Sequence, residues 1–234
     1  MRVAVLAGSL AAGIRIATEI ERLPAVDVSI VCLNQGMRSP FLRWLREIAL
    51  LLKSFGWQSL TKLWGYARSR KLVILARAPD DPGAVERLRG LQSDVGLHTT
   101  NVIYREATIA AFRLGILNAH IGILPGYRGR SVAEWSVLHG DPTGVTVFFI
   151  DSGIDTGSRI VLREVNPAKD STSVQALKAT LFASDVRLYR HALETLLAEG
   201  FEYQYNDVSQ GKRYYVMSSL LTGVVDTILE NRSR

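Results

Sequence analysis

The sequence predicts an α/β fold: a Rossmann-like, mostly parallel sheet with helices on both faces, a helical insertion and a short C-terminal tail. Three observations carry this. An apolar run, a helical stretch and a second apolar run follow one another by Leu33, which is a βαβ opening with a right-handed crossover. The apolar runs are short and near-continuous, as in strands buried on both faces. The chain has 234 residues, 47% apolar and 21% charged. That is enough for a sizeable core, and it excludes intrinsic disorder as the main state. The expected organisation is one main domain over residues 1–200, with a basic helical insertion at 37–71, and a tail at 201–234 that carries a last helix.

The elements follow in order. Val3–Ala7 is a strand that ends at Gly8-Ser9, and Ala11–Leu23 is a helix with Glu19, Glu21 and Arg22 outward. Val26–Leu33 is the second strand. Pro40 to Trp57 is helical, with Phe41, Leu42, Leu45, Ile48, Ala49 and Leu52 on one face, and a shorter helix follows Gly56. Leu72–Ala76 is a strand, Gly83–Gln92 a helix and Asp94–Leu97 a short strand. Glu106–Leu114 reads as a helix and Leu114–Ile121 as a strand. Ser131–His139 is helical, and Ser131 with Glu134 has capping-box spacing. Gly144–Ile150 and Ile160–Val165 are strands. Ser171–Leu197 reads as one long amphipathic helix capped by Ser171 or Thr172. Tyr203–Tyr215 is partly extended, and Ser219–Leu229 is a helix whose Leu220, Leu221, Val224, Val225 and Ile228 offer a face for a homodimer.

Composition removes several classes. A lone cysteine, Cys32, excludes an internal disulfide and a clustered-cysteine zinc site. The four histidines form no helical metal-ligand pair, and no metal is expected. Met1–Ile14 resembles a signal peptide superficially, but a Gly-Ser turn interrupts it before the helical pattern begins. No apolar stretch is long enough for a transmembrane helix, so the expected location is the cytoplasm.

The net charge of +6 is uneven. Residues 37–71 hold eight basic residues (Arg38, Arg43, Arg46, Lys53, Lys62, Arg68, Arg70, Lys71) against one acid, Glu47. Trp44, Trp57 and Trp64 lie in the same stretch. One reading is an amphipathic hairpin packed on the sheet with its basic face in water. A second is a membrane-surface helix pair with weak affinity for anionic lipid. A third is contact with an acidic partner, such as a sugar nucleotide or RNA. The pI describes this segment rather than the chain, and nucleic acid is not an expected partner.

Three stretches carry chemistry. In Asn118-Ala-His120, two residues apart on a strand, both side chains point to one side. A neutral histidine accepts a proton near pH 7, and an amide donates to a developing oxyanion. Taken alone, the pair also reads as a turn asparagine and a satisfied imidazole. Asp151-Ser-Gly-Ile-Asp155-Thr-Gly157 follows an apolar strand, where an open α/β sheet binds ligands, and an aspartate there can orient a histidine. Asp155-Thr-Gly157 also reads as a plain turn, and an aspartic-protease dyad is excluded by the α/β pattern. Leu124-Pro-Gly-Tyr-Arg-Gly129 is a rigid turn presenting a cation, or an ordinary surface turn.

Together with Gly144-Val-Thr-Val, these stretches resemble the folate-dependent formyltransferase family. The resemblance is dense over residues 115–163 and includes the spacing from His120 to Asp155. It implies an Asn118, His120 and Asp155 triad that moves a formyl group from 10-formyltetrahydrofolate, a co-substrate, to a primary amine. By resemblance, Asn118 bonds the oxyanion, His120 does so too or relays a proton, and Asp155 holds His120. The pterin is expected against main chain at Val102, Ile103 and Tyr104, and at Ile150, Asp151, Gly153 and Ile154. Arg128, Arg130 and Glu134 are placed at the acceptor side, with helix capping an equal reading for Glu134. Ile121 and Gly122 stand where the family commonly has Pro and Ser. Gly8–Gly13 lacks the family's phosphate-cradling pattern, which argues against glycinamide ribonucleotide. The residues after the long helix are too few for the further domain of the methionyl-tRNA enzyme. The expected acceptor is therefore a small molecule, an amino-sugar nucleotide or a natural-product precursor. A hydrolase releasing formate from the same donor, and a non-catalytic folate-binding protein, are the alternatives.

Overall fold

A computed structural model of the chain describes residues 1–33, 40–75, 78–166 and 170–232. Of the sequence expectations, those on Met37, Arg38 and Ala76 lie outside the described residues. The chain divides into two compact units, Met1–Leu117 and Asn118–Arg234.

The first unit runs β1 (Arg2–Ala7), α1 (Leu10–Ile20), β2 (Asp27–Leu33), α2 (Pro40–Phe55), α3 (Gln58–Arg68), β3 (Leu72–Leu75), α4 (Pro82–Gly90), β4 (Val95–Thr99) and α5 (Glu106–Ile109). It ends in the first half of β5 (Gly115–His120). Its strand order is β3-β2-β1-β4, and each neighbouring pair is parallel. Val5 stands between Ile30 and Leu97 at the centre. Right-handed crossovers in that order send α1, α2 and α3 to one face and α4 to the other. The contacts agree, since α1, α2 and α3 touch one another while α4 touches α5. This is the expected Rossmann-like α/β arrangement.

Local chemistry fixes α1. Ser9 Oγ accepts from Ala12 N at 3.1 Å as its N-cap. Glu47 of α2 is buried, and its Oε2 accepts from Leu10 N at 2.7 Å. A carboxylate at a helix N-terminus also complements the helix dipole. Gly13 lets α1 lie against β2, because a Cβ there would sit 2.7 Å from Ile30 Cγ2.

The second unit takes the end of β5, then β6 (Tyr127–Gly129), α6 (Val132–His139), β7 (Thr143–Phe149), β8 (Arg159–Asn166), α7 (Val174–Ala183) and α8 (Asp185–Leu197). It closes with β9 (Gln204–Tyr205), β10 (Lys212–Tyr214) and α9 (Ser219–Arg232). β7 pairs antiparallel with β8, and β8 with β9. β6 and β10 form a separate parallel pair.

Three expectations change. The long helix predicted over 171–197 is two helices. Its break falls at Ser184, whose N and Oγ both bond Leu181 O, three residues back. The first of the two is capped by Ser173, not by Ser171 or Thr172. The helix expected over 106–114 stops at Ile109. Thr108 is fully buried and its Oγ1 donates to Pro79 O at 3.0 Å, while Ala111 N and Phe112 N bond carbonyls three residues back. Ser131 forms no capping box. Its left-handed backbone (φ 52°, ψ 29°) turns the hydroxyl from the helix, and Oγ accepts from Met217 N instead.

Candidate active site

All three residues of the expected triad lie in the second unit. Asn118 and His120 share one side of β5 by the two-residue period of a strand. Between them, the Ala119 amide is taken by the buried Tyr189 hydroxyl at 2.9 Å. His120 is 7% exposed, and its ring meets the Phe148 ring edge-on. Its Nε2 lies 2.8 Å from the Tyr127 carbonyl. A carbonyl only accepts, so Nε2 carries the proton and donates. That leaves Nδ1, which faces Asp155 Oδ1 at 3.4 Å. Asn118 is half-buried, and its side chain has no hydrogen-bond partner among the described residues.

Besides facing His120, Asp155 is held by two hydrogen bonds. Its Oδ2 accepts from Gly129 N at 2.9 Å. Its carbonyl accepts from Asn206 Nδ2 at 3.3 Å, and the same amide donates to Gly157 O at 3.0 Å. Its backbone is left-handed, with φ 55°. A non-glycine residue in that region costs of order 1–3 kcal/mol and persists where surrounding structure over-determines it.

Gly122 has a steric reason. A Cβ there would sit 2.8 Å from both His120 Nε2 and Tyr127 O. The loop beyond it is clamped by the fully buried Thr146 of β7, which donates to Gly122 O at 2.7 Å and accepts from Leu124 N at 3.1 Å. Arg163 of β8 donates to Leu124 O at 2.7 Å.

The tail is part of this assembly. β10 lies along β6, Lys212 N bonds Gly126 O, and Arg130 N bonds Tyr214 O. The Arg128 guanidinium donates to Val208 O at 3.1 Å and Gly211 O at 3.2 Å. Tyr127 stacks on Tyr214 with centroids 5.1 Å apart, its hydroxyl donates to Asp141, and His139 Nδ1 lies 3.1 Å from the same oxygen. Burial, with the Asp141 hydrogen bond added to it, holds the Tyr127 phenol well above its ordinary range. Sequence reasoning missed Asn206, Asp141 and Tyr214. An asparagine directly after Tyr203-Gln-Tyr205 in a polar tail was the one available hint.

The other expected positions divide. Arg130 is exposed, and its guanidinium has no partner among the described residues. Arg128 serves the tail. Glu134 is buried and paired with Lys178 of α7, with its Oε2 unpartnered. In the loop after β7, Asp151 Oδ1 accepts from Gly153 N at 2.9 Å and Thr156 Oγ1 at 2.7 Å. Ser152 and Ile154 make no hydrogen bond within the chain among the described residues. Their peptide groups are open to a ligand, which fits a heterocycle read by main chain. In the first unit, Val102 is half-buried and Ile103 is 70% exposed. Tyr104 is buried, with its hydroxyl 3.2 Å from His98 Nδ1. Burial raises that phenol too.

The family described as formyl transferase matches residues 78–193. Over that stretch, just under half of the chain, the sequence is similar to the formyl transferase family. The match contains Asn118, His120 and Asp155 and ends before Asn206. The methionyl-tRNA formyltransferase of Parabacteroides distasonis is 36% identical over 118 residues, covering 50% of this chain and 36% of the relative. That of Legionella pneumophila (strain Paris) is 32% identical over 130 residues, covering 54% and 41%. The chain thus spans well under half the length of the curated relatives it matches. Two solved structures show the same fold. Glycinamide ribonucleotide transformylase 1 from Symbiobacterium toebii superposes with a TM-score of 0.59 at 20% identity, covering 88% of this chain and 94% of that one. A sugar N-formyltransferase from a Shewanella species gives 0.58 at 14% identity, covering 100% and 87%.

Proposed function

We propose that this protein moves a formyl group from 10-formyltetrahydrofolate to the primary amine of a small molecule. The observation that carries the reading is the buried His120 facing Asp155, with Asn118 two residues earlier on β5. The donor supplies the formyl carbon. Asn118 has an uncommitted side-chain amide, suited to hydrogen-bond the formyl oxygen as it gains charge under attack by the amine. His120 donates Nε2–H to Tyr127 O, so Nδ1 is its proton-exchanging atom. Asp155 faces that atom and stabilises the charge that arrives there. Ser152 and Ile154 offer the pterin its main-chain contacts. Val102, Ile103 and Tyr104 belong to the first unit, where Ile103 is the exposed side chain.

An amino-sugar nucleotide or related amine is the preferred acceptor. The first loop supports leaving glycinamide ribonucleotide aside, because Leu10 N, the amide that would meet a phosphate at the start of α1, is already bonded to Glu47. An aminoacyl-tRNA acceptor is the second reading, favoured by the sequence relatives. One assay tests the set. The protein is incubated with 10-formyltetrahydrofolate and a panel of amino-sugar nucleotides, methionyl-tRNA, or no amine, and formylated product and formate are measured. Formylation of a small amine, lost in His120→Ala, supports the reading. Formate release without amine identifies a hydrolase. No turnover, together with no calorimetric binding of 5-formyltetrahydrofolate, overturns the donor.

A further inference from the structure

We propose that the outer face of α2 and α3 binds the surface of an anionic lipid bilayer, with Trp57 and Trp64 entering the headgroup layer and Lys53, Arg68 and Arg70 meeting lipid phosphates.

The two tryptophans are left over from folding. This pair of helices has its own inward anchors. Leu51 is fully buried, Tyr66 is 7% exposed, and the Tyr66 hydroxyl donates to Glu21 of the first unit. Trp57 and Trp64 are instead 77% and 64% exposed. They stand seven residues apart, at the start and two turns along α3, so both lie on one side of it. Leu45 of α2 adds 42% exposure of a further apolar side chain. Indole rings are favoured where one end is apolar and the other wet, which describes a membrane interface.

Charge completes the pattern. The sole acid of residues 37–71, Glu47, is buried and committed to Leu10 N, so no carboxylate of this segment reaches its surface. Lys62 donates to Thr18, and Lys71 pairs with Asp27. Lys53, Arg68 and Arg70 have no carboxylate partner among the described residues. Basic residues beside exposed tryptophans on a helix that lies in the interface plane are what an anionic bilayer recognises. No described helix is long and apolar enough to cross a membrane, which leaves a surface contact as the mode.

Lipid is favoured over RNA by one contact. The Arg68 guanidinium lies over the Trp64 ring, 5.3 Å from its centroid. Base stacking needs a bare ring face. A ring that dips edgewise among headgroups keeps its cation, and the cation meets a phosphate.

The test is flotation of the full chain with vesicles of equal phosphatidylglycerol and phosphatidylcholine, against phosphatidylcholine alone, at low and high salt. The expected result is flotation with the anionic vesicles only, weakened by salt, with a blue shift of tryptophan emission. Trp57→Ala/Trp64→Ala lowers partitioning about tenfold or more and removes the shift. Lys53→Glu/Arg70→Glu removes flotation independently, and circular dichroism reports that both variants remain folded. No flotation, flotation unchanged by tryptophan removal, or binding of a structured RNA without binding of vesicles overturns the proposal.

Discussion

Asp155 joins a left-handed backbone to a carboxylate that bonds the Gly129 amide with one oxygen and faces His120 with the other. An amide at this position keeps the shape and the Gly129 bond but removes the charge. Asp155→Asn is therefore expected to unfold at a temperature close to wild type while turnover falls at least about 10²-fold. An unfolding scan beside a kinetic assay checks both halves. Gly122 makes the opposite prediction. Gly122→Ala places a methyl group against His120 Nε2 and Tyr127 O. The loop must shift, at about 1–3 kcal/mol of stability, and the imidazole loses its fixed orientation. Denaturant unfolding reads the first effect. The second appears as a lower kcat with the acceptor KM little changed. These residues were legible in the sequence to different degrees. Asn118, His120 and Asp155 are residue types suited to chemistry at a spacing the resemblance singles out, so they stand out. Gly122 looked like a departure from a pattern, and only the position of the imidazole explains it.

Between elements, the β6–β10 pair joins the triad loop to the tail, and Tyr127 is its hinge pin. Its carbonyl holds His120, its ring stacks on Tyr214, and its phenol donates to Asp141. Burial and Asp141 raise the phenol's pKa, so the folded protein resists an ionisation that the unfolded chain undergoes near about pH 10. The resulting stabilisation is whole below that pH and declines above it. The stability difference between wild type and Tyr127→Phe should hold steady to about pH 9 and shrink by about pH 11, as measured by thermal unfolding. Strands β1, β2 and β7 were legible because apolar runs report burial directly. The tail strand was not, because β10 joins β6 through main-chain bonds, which any polar sequence can make. The break between α7 and α8 was hidden by an apolar period that continues through Ser184, although Ser184-Asp185 is itself a helix-start pair. Ser131 misled in the other direction, since its spacing to Glu134 satisfies a capping rule that its φ defeats.

For the molecule as a whole, the polar tail closes the second unit around the loop that carries Asp155. Asn206 is the point of closure, 1% exposed and donating to the carbonyls of both Asp155 and Gly157. Asn206→Ala strands two acceptors, for a loss of about 1–3 kcal/mol. Asn206→Asp fills the space without the amide donor, and both variants should lower kcat. Near-wild-type kcat in both variants, measured at saturating acceptor, would show that Asp155 keeps its conformation unaided. The overall α/β character was readable from the first 33 residues and the later apolar runs, because parallel strands need crossovers and crossovers need helices. Which segment completes the site was not readable, since it depends on contacts between residues far apart in the chain.

That separation orders events during synthesis. The Arg128 guanidinium meets the Gly211 carbonyl 83 residues later. Units of a growing chain fold as they emerge. A ribosome-bound chain would thus expose His120 and Asp155 well before the strand that fastens them. Assembly of the proposed site is then a late event in translation, and a chain released early, even with both α7 and α8 complete, would be folded in part and lack the contacts that hold Asp155.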